Sequence, residues 1–569
     1  MNPVNIIREL LGMFEPHADE GDRKRVADEA LEILNGHPVI EKCRENYPGL
    51  DDFLALLSEA IVESKPGDQK TKMNGLTKRG PMIRSFGGQV QHHFSSNLLT
   101  DSIAWLEEYI AFPDAGLSNA EKRKSYYAIE RVCKDVLSIS LDEGSSLETL
   151  FQHYRSMVEP PNTAKGEVYE FAARFLKVKE HLIAAPKEHL LVFQIWGVAT
   201  PERITGSFGH ISLSTAPPFD GAGASEAVQK FLAPGNKVFA SVTANSRDGR
   251  SAGMLAYRQI GEMLDLMRFA FDQKNAILKS RFLLNDSSKL LLLEIPEIIP
   301  NPDTEASEQK LQDFSAELGA WTERNSGHRE GRDRVFSAFR LYRVGAETQI
   351  FENKLVNWWT GIEYLTKGGK SGGGSIGAGV ENSLVHVLLL GYISKHLGAF
   401  KTTFKKLRVE IELPAGKLEL GTLSLQDLFT TLKDPDSYAA LRASCEQHSY
   451  LWMHLQRFLE QIASSKKINE FISVHERRLR WQIQRIYRAR CDIVHSGRQV
   501  VNVSLLCANL EYYLKSVLRS MIDQFRTLPT LTGPAEFFER SNFQYRRMAK
   551  QLNQPPAAGN DALLMQTLN

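Results

Sequence analysis

Tyr487-Arg488-Ala489-Arg490-Cys491-Asp492-Ile493-Val494-His495-Ser496-Gly497 is the stretch on which the reading of this chain turns. An arginine-rich helix is expected to run into it and to stop at Gly497, since glycine most readily takes the left-handed conformation that closes a helix. Four residues separate Arg490 from His495. An imidazole exchanges protons near neutral pH, and a guanidinium holds a phosphate that is gaining charge. The pair therefore has the chemistry to break a phosphodiester without a metal.

The helix leading into that stretch is unusual in charge. Between Arg477 and Arg498 there are seven arginines, no lysine and one carboxylate, Asp492. Arginine suits bidentate phosphate contacts better than lysine does. Trp481 and Tyr487 lie among them, placed either to stack on bases or to pack. Leu479, Ile483, Ile486 and Ile493 follow one side of the helix, and Arg490 falls within that apolar stripe. A guanidinium there is costly to desolvate unless it is paired or faces a partner. A buried ion pair and a functional site both remain open. Glu363, four residues after Trp359 and one after Ile362, is the candidate partner. Five positions along a straight helix turn about 140°, which would put His495 near the line of Arg488 and away from Arg490. A helix that loosens before Gly497, or a site built between two protomers, would reconcile them. In the last turn, the negative end of the helix dipole favours imidazolium.

Outward from this helix, the chain is too long for one core: its 569 residues call for several domains. Hydrophobic content of 42% and charged content of 24% are those of an ordinary globular protein. No apolar run is long enough for a bilayer; Leu384 to Leu390 includes His386 and stops at Gly391. The beginning, Met1-Asn2-Pro3-Val4-Asn5, lacks the order of a signal peptide. Five scattered cysteines, Cys43, Cys133, Cys445, Cys491 and Cys507, fit reduced thiols in a cytoplasm. Net charge is +1, so any nucleic-acid contact must be local.

Three parts and a tail are expected. Residues 1–185 read as helical, from stripes such as Phe53 to Leu57 and Ile103 to Leu106. Within them Lys65 to Arg84 reads as an exposed basic loop, solvated or in contact with RNA or a partner. Residues 186–300 read as an α/β middle segment. Its strand-length runs are Leu190 to Val198, Val238 to Val242 and Leu290 to Ile295, with a helix over Met254 to Phe271 and a linker at Ile299 to Asp303. Residues 308–530 read as a helical bundle. Leu355, Trp359, Ile362 and Leu365 form one of its stripes, and Leu510, Leu514, Val517, Met521 and Phe525 another. Residues 531–569 read as a partly disordered tail.

Arg490, four intervening residues and His495-Ser496-Gly497, after the Ile493-Val494 pair, resemble the ApeA-like branch of the HEPN superfamily. The helix Leu355 to Leu365 resembles that family's first core helix with its recurrent acidic residue, here Glu363. The likeness covers roughly residues 310–530. It implies a HEPN-like bundle that dimerises, bringing two Arg–His motifs into one cleft, and a metal-independent endoribonuclease, often a toxin or anti-phage effector. His495 would move the proton of the ribose 2′-hydroxyl or of the leaving oxygen, and Arg490 would stabilise the phosphorane-like transition state. Products would be a 2′,3′-cyclic phosphate and a 5′-hydroxyl. Glu363 and Asp492 would support the site, while Arg485, Tyr487, Arg488 and Arg498 would hold RNA. No cofactor or metal is implied, and the activating trigger would be phage-derived or otherwise external. Where family members often carry Asn after the arginine, this chain has Cys491, which cannot replace an amide's hydrogen bonds.

Rival readings are narrower. A non-catalytic HEPN-type module that dimerises or binds RNA is favoured by Cys491. Gly369-Lys370-Ser371 evokes a P-loop, but position 364 is Tyr364 and the loop follows a helix, so Gly368 to Gly379 reads as an interhelical loop. A zinc site around Cys491, Asp492 and His495 would need ligands from elsewhere amid repelling arginines. Gly206-Ser207-Phe208-Gly209 does not form a nucleophile elbow.

Overall fold

The computed structural model describes residues 1–14, 20–63, 75–111, 118–159, 169–198, 200–221, 223–271, 275–286, 289–295, 300–301, 307–324, 329–367, 376–414, 416–445, 448–497, 500, 502–528 and 530–553. Most of these are helical, with one six-stranded antiparallel sheet and a small hairpin. The chain forms two compact units, Met1–Glu297 and Ile298–Asn569. The segments expected as N-terminal and middle parts thus both belong to the first unit.

Its helical part centres on the long helix Gly75–Ala111. Leu76, Ile83 and Val90 recur every seven residues along it, and all three are buried with Phe94 and Leu98. That periodicity overrides the loop expected up to Arg84, of which residues 65–74 lie outside the described residues. Arg79 is committed to ion pairs with Glu59 and Glu63, each 2.5 Å.

The sheet contains β1 (Lys187–Trp196), β2 (Gly206–Phe208), β3 (Ile211–Ser214), β4 (Lys237–Ser246), β5 (Ile277–Asp286) and β6 (Lys289–Glu294), in the order β2-β3-β4-β1-β5-β6. All neighbours are antiparallel. β1 is central and covered on both faces, which explains its continuous apolar run. Leu191, Phe193 and Ile195 face a core shared with helix Gly249–Phe271. Val192 faces Val228, Phe231 and Leu232 of the short helix Glu226–Leu232. Helix Gly249–Phe271 lies so close to β5 that a Cβ on Gly253 would stand 2.3 Å from Phe282. The sequence reading found β1, β4 and β6 but not β2, β3 or β5.

The second unit is a helical bundle around one apolar core. The tryptophan helix, Phe351–Thr366, buries Leu355, Trp359, Ile362 and Leu365 completely, as its stripe requires. Helix Val503–Thr527 buries Leu510, Leu514, Val517, Met521 and Phe525. Helix Pro534–Leu552 adds Phe537, Phe538 and Tyr545 to the same core, so that much of the expected tail is folded; residues 554–569 lie outside the described residues. Gly377 to Gly379, expected in a loop, fall in helix Ile376–Leu390, and 368–375 are outside the described residues. A two-stranded hairpin, β7 (Glu410–Leu413) with β8 (Gly416–Glu419), was not expected.

Asn301, in the expected linker, is anchored within this unit. Its backbone N–H donates to the fully buried Glu511 carboxylate at 2.8 Å, and its side chain donates to the Ala508 carbonyl at 2.5 Å. Glu511 also accepts from Tyr342 at 2.8 Å and pairs with Lys515 at 3.1 Å, so the buried charge is fully engaged. No single helix among the described residues is long and apolar enough to cross a membrane.

Candidate functional site

The arginine helix runs over Ser465–Cys491 and starts at a capped end, where the Ser464 side chain accepts from the Lys467 N–H at 3.3 Å. Ile468, Ile472, Leu479, Ile483 and Ile486 bury one side of it. Arg488 and Arg490 occupy its last turn, where cations complement the dipole. The chain then loosens into one π-helical turn, Asp492–Ser496, closed by a Gly497 N–H bond to the Asp492 carbonyl. Gly497 takes a φ of +59°, the left-handed conformation its residue type favours.

This π turn bears on the geometry of the Arg–His pair. An i→i+5 turn brings residues five apart closer to alignment than α-helical winding does. Winding wider just after Arg490 rotates His495 back toward its side, reducing the 140° mismatch of a straight helix. His495 is exposed, and its imidazole has no hydrogen-bond partner among the described residues. Ile493 is half-buried against the core and holds the turn, while Val494 is exposed.

Arg490 sits in the apolar stripe and meets Glu363. The Nη2 to Oε2 separation is 3.7 Å, and the two side chains keep 20% and 19% of their exposure. This is an ion pair without hydrogen-bond geometry. The other carboxylate oxygen of Glu363 accepts from Trp359 Nε1 at 2.5 Å, which fixes its direction. The Nε of Arg490 is buried and has no hydrogen-bond partner among the described residues. A guanidinium carries five donors in a rigid fork, and this one is oriented by a carboxylate while retaining an unused buried donor.

Tyr487 packs below the pair. Its ring lies 5.5 Å from that of Trp359, and Gly377 makes room for it: a Cβ there would stand 2.4 Å from the ring. Burial, and next the neighbouring Cys491, push its phenol above the ordinary range; Cys491 also shares a hydrogen bond with it. Tyr487, expected to hold RNA, is thus half-buried and engaged in packing within the unit. Trp481 is likewise buried, with Arg477 5.4 Å over its ring.

Of the remaining expected contacts, Asp492 opens the π turn and is exposed. Arg485 and Arg488 are half-buried, and Arg485 donates to Gln482 at 2.7 Å. Arg498 lies outside the described residues. Arg480 instead belongs to a structural network. It pairs with Glu381 at 2.7 Å and Glu476 at 2.8 Å, and Tyr545 donates to Glu476 at 2.6 Å. That network was not legible in the sequence, because Glu381 and Tyr545 are remote from Arg480 along the chain. All five cysteines are free thiols, and among the described residues no three His, Cys, Asp or Glu side chains are grouped to hold a metal.

No protein-family model, curated protein or solved structure matches this chain.

Proposed function

We propose that the second unit is a metal-independent endoribonuclease, with Arg490 and His495 as its catalytic pair. The observation that carries this reading is the state of Arg490. It is placed in an apolar stripe at a desolvation cost, tied by a single 3.7 Å pair, and left with a buried Nε that has no partner among the described residues. The fifth of the side chain that stays exposed is what a phosphate oxygen would meet. The neighbouring π turn leaves His495 open to a substrate.

In the reaction, the ribose 2′-oxygen attacks the adjacent phosphorus as its proton passes to a base. The 5′-oxygen of the next nucleotide leaves with a proton from an acid. A neutral His495 serves as the base and a protonated one as the acid. In a homodimer, which the HEPN likeness implies, the two copies of His495 would share these roles. Arg490 neutralises the charge that grows on the non-bridging oxygens. Glu363 orients Arg490, Asp492 supports the site, and Arg485, Arg488 and Arg498 are the residues to hold the RNA backbone. The first unit would sense, restrain or target the nuclease, in keeping with a cytoplasmic toxin or anti-phage effector released by a trigger.

The test is cleavage of mixed RNA by the full chain in EDTA, wild type beside His495→Ala and Arg490→Ala. Cleavage leaving 2′,3′-cyclic phosphates, lost in both variants, supports the reading; proton transfer of this kind contributes about 10²–10⁴-fold. Cleavage that survives both substitutions refutes it. A second reading, a non-catalytic HEPN-type dimerising or RNA-binding module, draws on Cys491, whose thiol bonds to Tyr487 where the family often carries Asn. Retained RNA binding without cleavage by wild type, with or without extract from phage-infected cells, would favour it.

A further inference from the structure

A second cluster of cations and rings lies where the arginine helix meets the helices Tyr392–Leu407 and Ser449–Ile462, away from Arg490. The His475 ring stacks on Tyr392 at 3.7 Å and 7°. His396 meets the same Tyr392 at 4.7 Å and Phe471 at 5.3 Å. Burial, then Lys395 and Arg457, depress His396 to about 4; burial, then Lys395, His396 and Arg478, depress His475 to about 4. Arg478 and Arg457 act on Tyr392. The charged side chains that act on these three rings include the cations Lys395, Arg457 and Arg478. Lys395, Arg457 and Arg478 are exposed, and Lys395 stands 4.0 Å over the ring of Tyr512.

The cluster lies on the flank of the helix that carries Arg485, about 120° round from Arg490. Arg478 and Arg485 are seven residues apart on one helix and share a line along it, with Arg488 three further on. Arg485 is close enough to Tyr513 to act on its phenol, so that line follows the seam where Tyr512 lies beneath Lys395. Twelve residues separate Arg478 from Arg490, a run of about 18 Å along the axis.

We propose that Lys395, Arg457 and Arg478, set around the Tyr392–His475–His396 stack, form a distal anchor for the phosphates of single-stranded RNA, along a line that passes Arg485 and Arg488 to the π turn bearing His495. The proposal rests on RNA being the substrate. Exposed cations along a helix hold the backbone of a single strand without regard to its sequence. The anchor sits too far from Arg490 to take part in bond breaking, so it governs binding and the length of strand preferred.

The experiment uses the full-length protein and a 2′-O-methyl RNA 12-mer, which lacks the attacking hydroxyl and cannot be cut by this route. Binding is measured over a range of salt for wild type and for the Lys395→Ala/Arg457→Ala/Arg478→Ala variant. Loss of three phosphate contacts should reduce the slope of log K against log salt by about 2 and weaken low-salt binding by tenfold or more. A second measurement needs no substitution: phosphates seated among these cations should raise the titration midpoints of the His396 and His475 imidazole resonances. An Arg457→Lys/Arg478→Lys variant keeps the charge and should keep the slope, separating anchoring from folding. Equal slopes in wild type and triple variant, with both binding RNA, overturn the anchor and leave the nuclease reading intact. Failure of wild type to bind any RNA overturns both, and an acidic protein would then be the partner to test.

Discussion

Replacing Glu363 by Gln keeps an oxygen for Trp359 Nε1–H and removes the charge that faces Arg490. Two unit charges 3.7 Å apart attract by about 4.5 kcal/mol at an effective dielectric of about 20. Each side chain has lost four-fifths of its exposure, so desolvation offsets much of that attraction, and the separation is too long for a hydrogen bond. A net coupling of about 1–2 kcal/mol remains as the expectation. The assay is a double-mutant cycle of wild type, Glu363→Gln, Arg490→Gln and the double variant, unfolded by heat and by urea while the second unit is followed. In a unit of this size about 1 kcal/mol moves Tm by about 2–4 °C. Either single substitution should be destabilising, because it leaves one charge partly buried alone. The double variant should be less destabilised than the sum of the singles. Additivity within about 0.5 kcal/mol would refute the claim that Glu363 holds Arg490.

Gly377→Ala puts a methyl 2.4 Å from the Tyr487 ring, and should cost about 1–3 kcal/mol in thermal unfolding as well as dislodge Tyr487 from Trp359. Gly497→Ala meets open space but a φ of +59°, so about 1 kcal/mol is expected; Gly497→Asn, which tolerates that backbone, should recover most of it and most of the cleavage. His495→Ala should leave Tm within about 1 °C, since the imidazole is exposed and has no partner among the described residues, while cleavage disappears. His396 and His475 are both depressed to about 4 in the folded unit, so between about 4 and their unfolded value near 6.5 the unfolded chain binds more protons. Stability of the second unit should therefore be full above about pH 6.5 and decline as pH falls toward 4, and His475→Phe, which keeps the stack, should flatten that decline in urea titrations at stepped pH.

What the sequence disclosed, and what it withheld, divides along one physical line. Periodicity speaks for contacts between a helix and its own core. Leu355 to Leu365 and Leu510 to Phe525 could be read in advance, and so could the cost of an arginine at position 490. A pairing across elements leaves a trace only when a residue is out of place on its own helix, as Arg490 and Glu363 both are; Glu381 with Arg480 leaves none that the stripes reveal. Strands are legible where apolar residues run on unbroken, as in β1 and β6, and fade where charge interrupts the run, as Lys279 and Arg281 do in β5, or where the strand is short and wholly exposed, as in β2. Helix Gly75–Ala111 was obscured at its start because Gly75, Gly80 and Pro81 suggest a turn, although the seven-residue recurrence of Leu76, Ile83 and Val90 was in view. The π turn falls between these cases. No periodicity announces five residues, but an arginine and a histidine five apart before Gly497 make sense on one side of a helix only if it unwinds there. The spacing that seems wrong for an α-helix is thus itself the signal, and the Gly497→Ala and Gly497→Asn pair tests whether the turn, as well as the two side chains, is required.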